Sequence, residues 1–187
     1  AVGKAIGLNI EIVITDGTQP VGRGIGPALE ARDVLSVLRN QDKAPLDLRE
    51  RAVALAGKLL EMSGKVVKGE GDKQAMEILV TGVAYEKFLA ICNAQGYFTE
   101  PGTAPYKYEV KALVSGKVTG IDNRKLAKVA KLAGAPSAVT AGVLLLTPLG
   151  TLVQKDDLLY EIHAESNGEL DYALDFLRTQ TDIVKIH

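Results

Sequence analysis

The chain has 187 residues, 47% hydrophobic and 24% charged, a composition that excludes a disordered or fibrous protein and allows one medium domain or two small ones. Its 22 basic residues face 23 acidic ones, and the net charge of -1 leaves no electrostatic footprint for nucleic acid or an anionic membrane. The longest apolar runs, such as residues 141–147, are too short to span a bilayer, and a single cysteine excludes an internal disulfide framework.

The chain opens AVGKAIGLNIEIVIT, with no basic-then-apolar signal pattern. This stretch reads as the last turn of a helix entering a strand, Ile10 to Thr15, of the apolar kind that suits a buried parallel sheet. A right-handed crossover needs another strand before that helix. The expectation is therefore a piece of a longer chain, from a reducing compartment such as the cytoplasm.

ITDGTQPVGRGIGPALEARD, residues 14–33, follows with four glycines and two prolines. GRGIG resembles the start of a dinucleotide fingerprint, but the sixth place is Pro27, and no Gly-Lys-Ser/Thr of a P-loop occurs. Backbone amides at the helix start could still meet an anion. The plainer reading is a tight strand-to-helix connection, with Pro27 at the helix start and Asp16 as a turn former.

Beyond it, Leu29, Val34, Leu35, Val37 and Leu38 share one side of a helix. Asp47 and Glu50 form a capping-box signal for a second helix, with Leu48, Ala52, Leu55, Ala56 and Leu59 as its apolar stripe. Helical patterns resume from Asp72 to Val80 and continue to Gln95, with Cys92 placed as a core thiol. YFTEPGTAPYKY, residues 97–108, is the boundary candidate.

From Tyr108 the period becomes two: Tyr108, Val110, Ala112 and Val114 alternate, turn at Ser115-Gly116 and resume as KVTGI. Asp122 is placed to cap a helix from Asn123 to Leu132, closed by Gly134 with Pro136 beyond. Strands are predicted over Gly142 to Thr147 and Leu158 to Ala164, then a helix in GELDYALDFLRTQ and a last strand in TDIVKIH. VQKDDLLYEIHAE resembles the second-strand pattern of a biotinyl or lipoyl domain, but no lysine stands at a hairpin tip for modification. The shape remains; the activity does not.

No catalytic constellation emerges. His163 and His187 lack partners at zinc-ligand spacing. Glu161, Glu165, Glu169 and Asp171 read as a solvated strand edge and a helix N-terminus whose dipole carboxylates complement. Residues alone give an α/β piece followed by a compact α+β unit.

Four stretches carry a further likeness: ITDGTQPVGRGIGPALEARDV, the helical AQG at 94–96, GKVTGIDNRKLAKVAKLAGAP and LLYEIHAES. Together and in order they resemble the C-terminal part of the thymidine and pyrimidine-nucleoside phosphorylases, nearest the long-form subgroup that includes AMP phosphorylases. The resemblance implies the end of an α/β glycosyltransferase-like domain over residues 1–98, a linker over 99–107, and a phosphorylase C-terminal domain of barrel-sandwich, biotinyl-like shape over 108–187. It also implies phosphorolysis: inorganic phosphate attacks the anomeric carbon of a nucleoside and releases the free base and a pentose 1-phosphate. No cofactor is required, and the complete enzyme is expected to be a homodimer.

The family's phosphate-, base- and acid-bearing segments align upstream of Ala1, so no catalytic residue is carried onto this chain. A structural potassium ion, held in some relatives by two backbone groups and a Glu, aligns with Val21, Gly24 and Asp33, where Asp33 has the shorter reach. The competing expectation is a standalone binding module without catalysis.

Overall fold

The computed structural model describes residues 2–180 and 182–187. Its elements in chain order are α1 (Val2–Ala5), β1 (Gly24–Ile25), α2 (Pro27–Leu38), α3 (Leu46–Met62), α4 (Gly71–Val80), α5 (Val83–Ala94), β2 (Tyr106–Lys111) and β3 (Gly116–Ile121). They continue with α6 (Asn123–Leu132), β4 (Gly142–Leu145), β5 (Leu152–Val153), β6 (Leu158–Ala164), α7 (Asn167–Arg178) and β7 (Val184–Ile186). The result is a mixed α/β chain with two antiparallel sheets, β1-β4-β6-β2 and β5-β3-β7.

The second half follows its local signals closely. Asp122 accepts the amide hydrogens of Arg124 and Lys125, both at 3.0 Å, and so starts α6. Ser166 and Glu169 start α7 in the same way, the serine hydroxyl facing both the amide and the carboxylate of Glu169. Both sheets contribute to one core: Val118, Ile121 and Val153 from one, Val143, Leu145 and Ile162 from the other, with Leu126 and Val129 of α6 between. Residues that the alternation places inward are buried because each sheet face needs a cover.

One long-range pairing differs from the sequence reading. The turn at Ser115-Gly116 does not close a hairpin. Tyr106–Lys111 pairs with β6, whereas β3 pairs with β5 and β7. The chain crosses there from one sheet to the other, because Ala112 turns into the common core.

The first half departs further. The strand expected over Ile10 to Thr15 does not form; residues 8–17 have no regular structure, and Ile12 and Ile14 are 82% and 94% exposed. An apolar run becomes a strand only where neighbours take its amides and carbonyls, and residues 8–17 pair with none among the described strands. The α3 stripe is also corrected. Val53 and Gly57 are buried, while Leu55 and Leu59 are exposed on the side of residues 10–14. Lys58 of α3 pairs with Glu11 at 3.3 Å. Cys92 is half-buried on α5, a helix with no fully buried residue, rather than a core thiol. Helices α2 to α4 share a small core of Val37, Val53, Ala75 and Leu79.

The two halves meet where β1 pairs with β4, Gly24 opposite Leu144 and Ile25 opposite Val143. Two glycines allow that approach. Gly26 and Gly142 both hold positive φ, and a Cβ on either would overlap a carbonyl oxygen of the opposite strand, Ala141 for the first and Ile25 for the second. Gly142→Ala is therefore expected to lower stability by about 1–3 kcal/mol. Urea unfolding would read it, and an unchanged midpoint would show that β1 separates from β4 without cost.

Candidate functional site

The glycine-rich loop is the densest polar construction in the chain. The amide of Gly22 donates to Asp47 Oδ2 at 3.1 Å. Those of Arg23 and Gly24 both donate to Asp33 Oδ2, at 2.6 and 2.7 Å. The amide of Gly26 donates to Glu30 Oε1 at 2.9 Å, the side chain reaching back one turn from α2. The Arg23 guanidinium lies 3.3 Å from Asp47 Oδ1 and closes the ring.

This arrangement decides what the loop can bind. A phosphate cradle needs amide hydrogens aimed at open space. Here four amides already meet carboxylates of the same chain. The loop is an anion site filled by Asp33, Asp47 and Glu30.

The potassium expectation can be tested on the same atoms. Val21, Gly24 and Asp33 do come together at this turn, but Asp33 Oδ2 faces two N–H donors. Alkali cations select oxygens, and an oxygen engaged by two amides is a poor ligand. Asp33 Oδ2 is thus already engaged by the Arg23 and Gly24 amides.

Further bonds fasten the loop to the second half. The Leu149 amide donates to Gln19 Oε1 at 2.8 Å, the Asn123 amide group donates to the Gly17 carbonyl at 2.9 Å, and the Leu145 amide donates to the Arg23 carbonyl at 2.8 Å. Asp16 is the turn former expected: it accepts the Thr18 amide and hydroxyl, both at 2.9 Å, which hold its carboxyl below its ordinary range. Beside it lies a cavity of about 360 Å³ bordered by Val13, Asp16, Gln19, Asp47, Arg51 and Leu55.

Asp47 shows how the sequence reading missed a role. Its spacing predicts a helix cap, but Pro45 stands at that cap with no side-chain bond, and Asp47 turns instead to Gly22 and Arg23. A partner 25 residues away leaves no local signal. The same holds for Arg39, whose guanidinium lies 5.2 Å from the Tyr85 ring and 5.8 Å from that of Phe98. With Arg39 bonded to Glu100, and Arg32 to the Gly102 carbonyl, residues 100–102 are fastened to α2.

The histidine and carboxylate candidates are structural. Glu165 accepts the Thr140 amide and hydroxyl, the Glu169 carboxylate accepts from the hydroxyl of Ser166, the cap of α7, and Asp171 is exposed. His187 is exposed. His163 is 1% exposed, with Nε2 3.1 Å from Glu161 Oε2 and Nδ1 sealed without a partner. Among the described residues no group of three or more His, Cys, Asp or Glu could hold a metal ion. No described helix is long and apolar enough to cross a membrane.

With the geometry in place, comparison with known proteins accounts for it. Residues 117–184 match the model of the pyrimidine nucleoside phosphorylase C-terminal domain. Over those residues the chain is similar to the C-terminal domain of the pyrimidine nucleoside phosphorylases, and the likeness to curated relatives runs through both halves. It is 54% identical over 184 residues to a "Putative thymidine phosphorylase" of Hahella chejuensis, an alignment covering 98% of this chain and 36% of that protein. It is 53% identical over 185 residues to a "Putative thymidine phosphorylase 1" of Acidovorax sp., covering 99% and 36%. Against the Legionella pneumophila protein of the first name, strain Paris, it is 53% identical over 183 residues, covering 98% and 35%. The chain thus spans about a third of the length of the curated relatives it matches.

Two outcomes follow from the site. Asp33→Ala removes the acceptor of two charge-assisted bonds and is expected to lower stability by about 2–4 kcal/mol. Melting temperatures in KCl and NaCl at matched ionic strength are expected to coincide, and a potassium-specific rise would restore the cation reading.

His163 provides a pH dependence. Burial lowers its pKa from the ordinary 6.5, with Lys107 and Arg32 acting in the same direction and Glu161 opposing. The folded state favours the neutral ring, so its contribution is present above pH 6.5 and is lost as pH falls toward the lowered folded value. Urea stability of the native chain is expected to fall more steeply below pH 6.5 than that of His163→Gln. Parallel curves would contradict it.

Proposed function

We propose that this chain is the C-terminal part of a thymidine phosphorylase-like pentosyltransferase. The observation that supports this most is the continuity of the likeness: the same relatives align through both halves, at 53–54% identity, over 98–99% of the chain. In the reaction, a phosphate oxygen forms a bond to the anomeric carbon while the glycosidic C–N bond breaks. The bonding pair leaves with the base, which takes up a proton, and the sugar departs as its 1-phosphate. Such chemistry depends on orientation, on donors for phosphate and base, and on exclusion of water.

This chain's part in it is that of support. The self-filled glycine loop offers no amides to phosphate, so the reading assigns phosphate and nucleoside binding to preceding segments, against which residues 10–15 and the loop pack. Residues 1–98 then complete an α/β domain, 99–107 link, and 108–187 form the barrel-sandwich-like C-terminal domain. A cytoplasmic setting and a homodimer belong to the same proposal. A potassium ion near Val21 and Gly24 would have to take the other oxygen of Asp33.

The test is base release from thymidine, uridine and AMP, with and without inorganic phosphate. The 187-residue chain is expected to show no turnover, and an N-terminally extended chain is expected to show phosphate-dependent release. The extended chain's preference separates thymidine from AMP. Phosphate-dependent turnover by the 187-residue chain alone would place the active site within it and overturn the reading.

A further inference from the structure

The two sheets end in four edge strands, and three of them are too short to receive another chain. β1 and β5 have two residues each, and β7 has three. Such brevity is a common way of blunting an edge. β2 is the exception, with six residues and a ladder to β6 on one side. Its outer side pairs with nothing further among the described strands.

The side chains of β2 meet water along nearly its whole length. Tyr106, Lys107, Tyr108, Glu109 and Lys111 are exposed, and Val110 alone is half-buried, against the core. Tyr106, Tyr108 and Val110 share the face of their β6 partners Ala164, Ile162 and Tyr160, while Lys107 and Glu109 lie on the opposite face. Two aromatic rings left in water on an unpaired edge are surface that a further strand would cover.

The order of charges along β2 selects that strand. On an edge, alternate residues turn their amide and carbonyl outward. Two copies related by a two-fold axis therefore pair only where residues of the same parity stand opposite. Centred on Tyr108, such a pair sets Lys107 of each copy against Glu109 of the other, Tyr106 against Val110, and the two Tyr108 rings side by side. Opposite charges, aromatic pairs and aromatic–β-branched pairs are all favourable across strands.

Neighbouring centres fail. A centre at Lys107 opposes the two lysines, and one at Glu109 opposes the two glutamates and sets Lys107 against Lys111. A centre at Val110 runs across the register shift between Val110 and Lys111. Among the described residues the ion pair of β2 joins Glu109 to Lys111 at 3.0 Å, and Lys107 is left to water.

We propose that β2 is a contact between two copies of this chain, joined antiparallel about Tyr108 so that two four-stranded sheets become one. The contact uses neither the glycine loop nor residues 6–14, and it does not depend on phosphorolysis.

Sedimentation of the 187-residue chain at low ionic strength, from micromolar to near-millimolar concentration, is expected to show a monomer–dimer equilibrium. Glu109→Lys and Lys107→Glu each set like charges opposite and should weaken the dimer about tenfold or more. Mixed together, these two variants should form a heterodimer at least as tight as the native dimer, because every cross-strand charge pair is then of opposite sign. The double variant Lys107→Glu/Glu109→Lys should restore the homodimer. Residue 109 faces Glu161 of β6, so a lysine there removes a like-charge neighbour within the chain, and circular dichroism reports whether each variant is folded.

A native chain that stays monomeric throughout would overturn the proposal. So would a dimer whose affinity neither single variant changes, which would place the contact elsewhere, or folded single variants that fail to associate when mixed.

Discussion

Three carboxylates placed against four backbone amides hold this chain together. Asp33, Asp47 and Glu30 take the hydrogens of Gly22, Arg23, Gly24 and Gly26. The loop would otherwise carry unpaired amides into a half-buried position, and charge-assisted bonds are among the stronger means of satisfying them. Once the loop is set, Gly24 and Ile25 lie straight enough to become β1 and join β4. The helical first half thereby becomes an edge strand of the second half's sheet.

The same construction explains why the loop is not a phosphate site although it has the glycines for one. Glycine serves here for proximity. Gly26 and Gly142 face each other's strands, and a Cβ on either would strike a carbonyl. The amides that such a turn exposes are neutralised from within, by acids on α2 and α3. Residues 10–14 leave apolar side chains exposed beside the loop, as do Leu55 and Leu59 of α3.

The second half is a different physical object. Its core draws from both sheets and two helices, and it contains most of the fully buried side chains. Its polar devices are local caps at Asp122 and Ser166. Its edge strands β2 and β7 pair with nothing further among the described strands. In the same half, His163 is buried with one ring nitrogen bonded to Glu161 and the other sealed, next to the strand that receives β1.

The sequence by itself determined what depends on neighbours a few residues away. Asp122, Gly134 and Pro136 framed α6, the alternation from Tyr108 marked β2, and LLYEIHA marked β6. The linear order of motifs carried the family, since order survives without coordinates. Tertiary structure decided what depends on distant partners. Ile10 to Thr15 has strand composition, but pairing makes a strand, and among the described strands nothing pairs there. Ser115-Gly116 is a turn in sequence and a crossing between sheets in space. Asp47 is a cap by spacing and a loop clasp by position. Each reversal has one cause: a residue's propensity is local, whereas the groups that satisfy its hydrogen bonds or cover its apolar face lie wherever the chain returns.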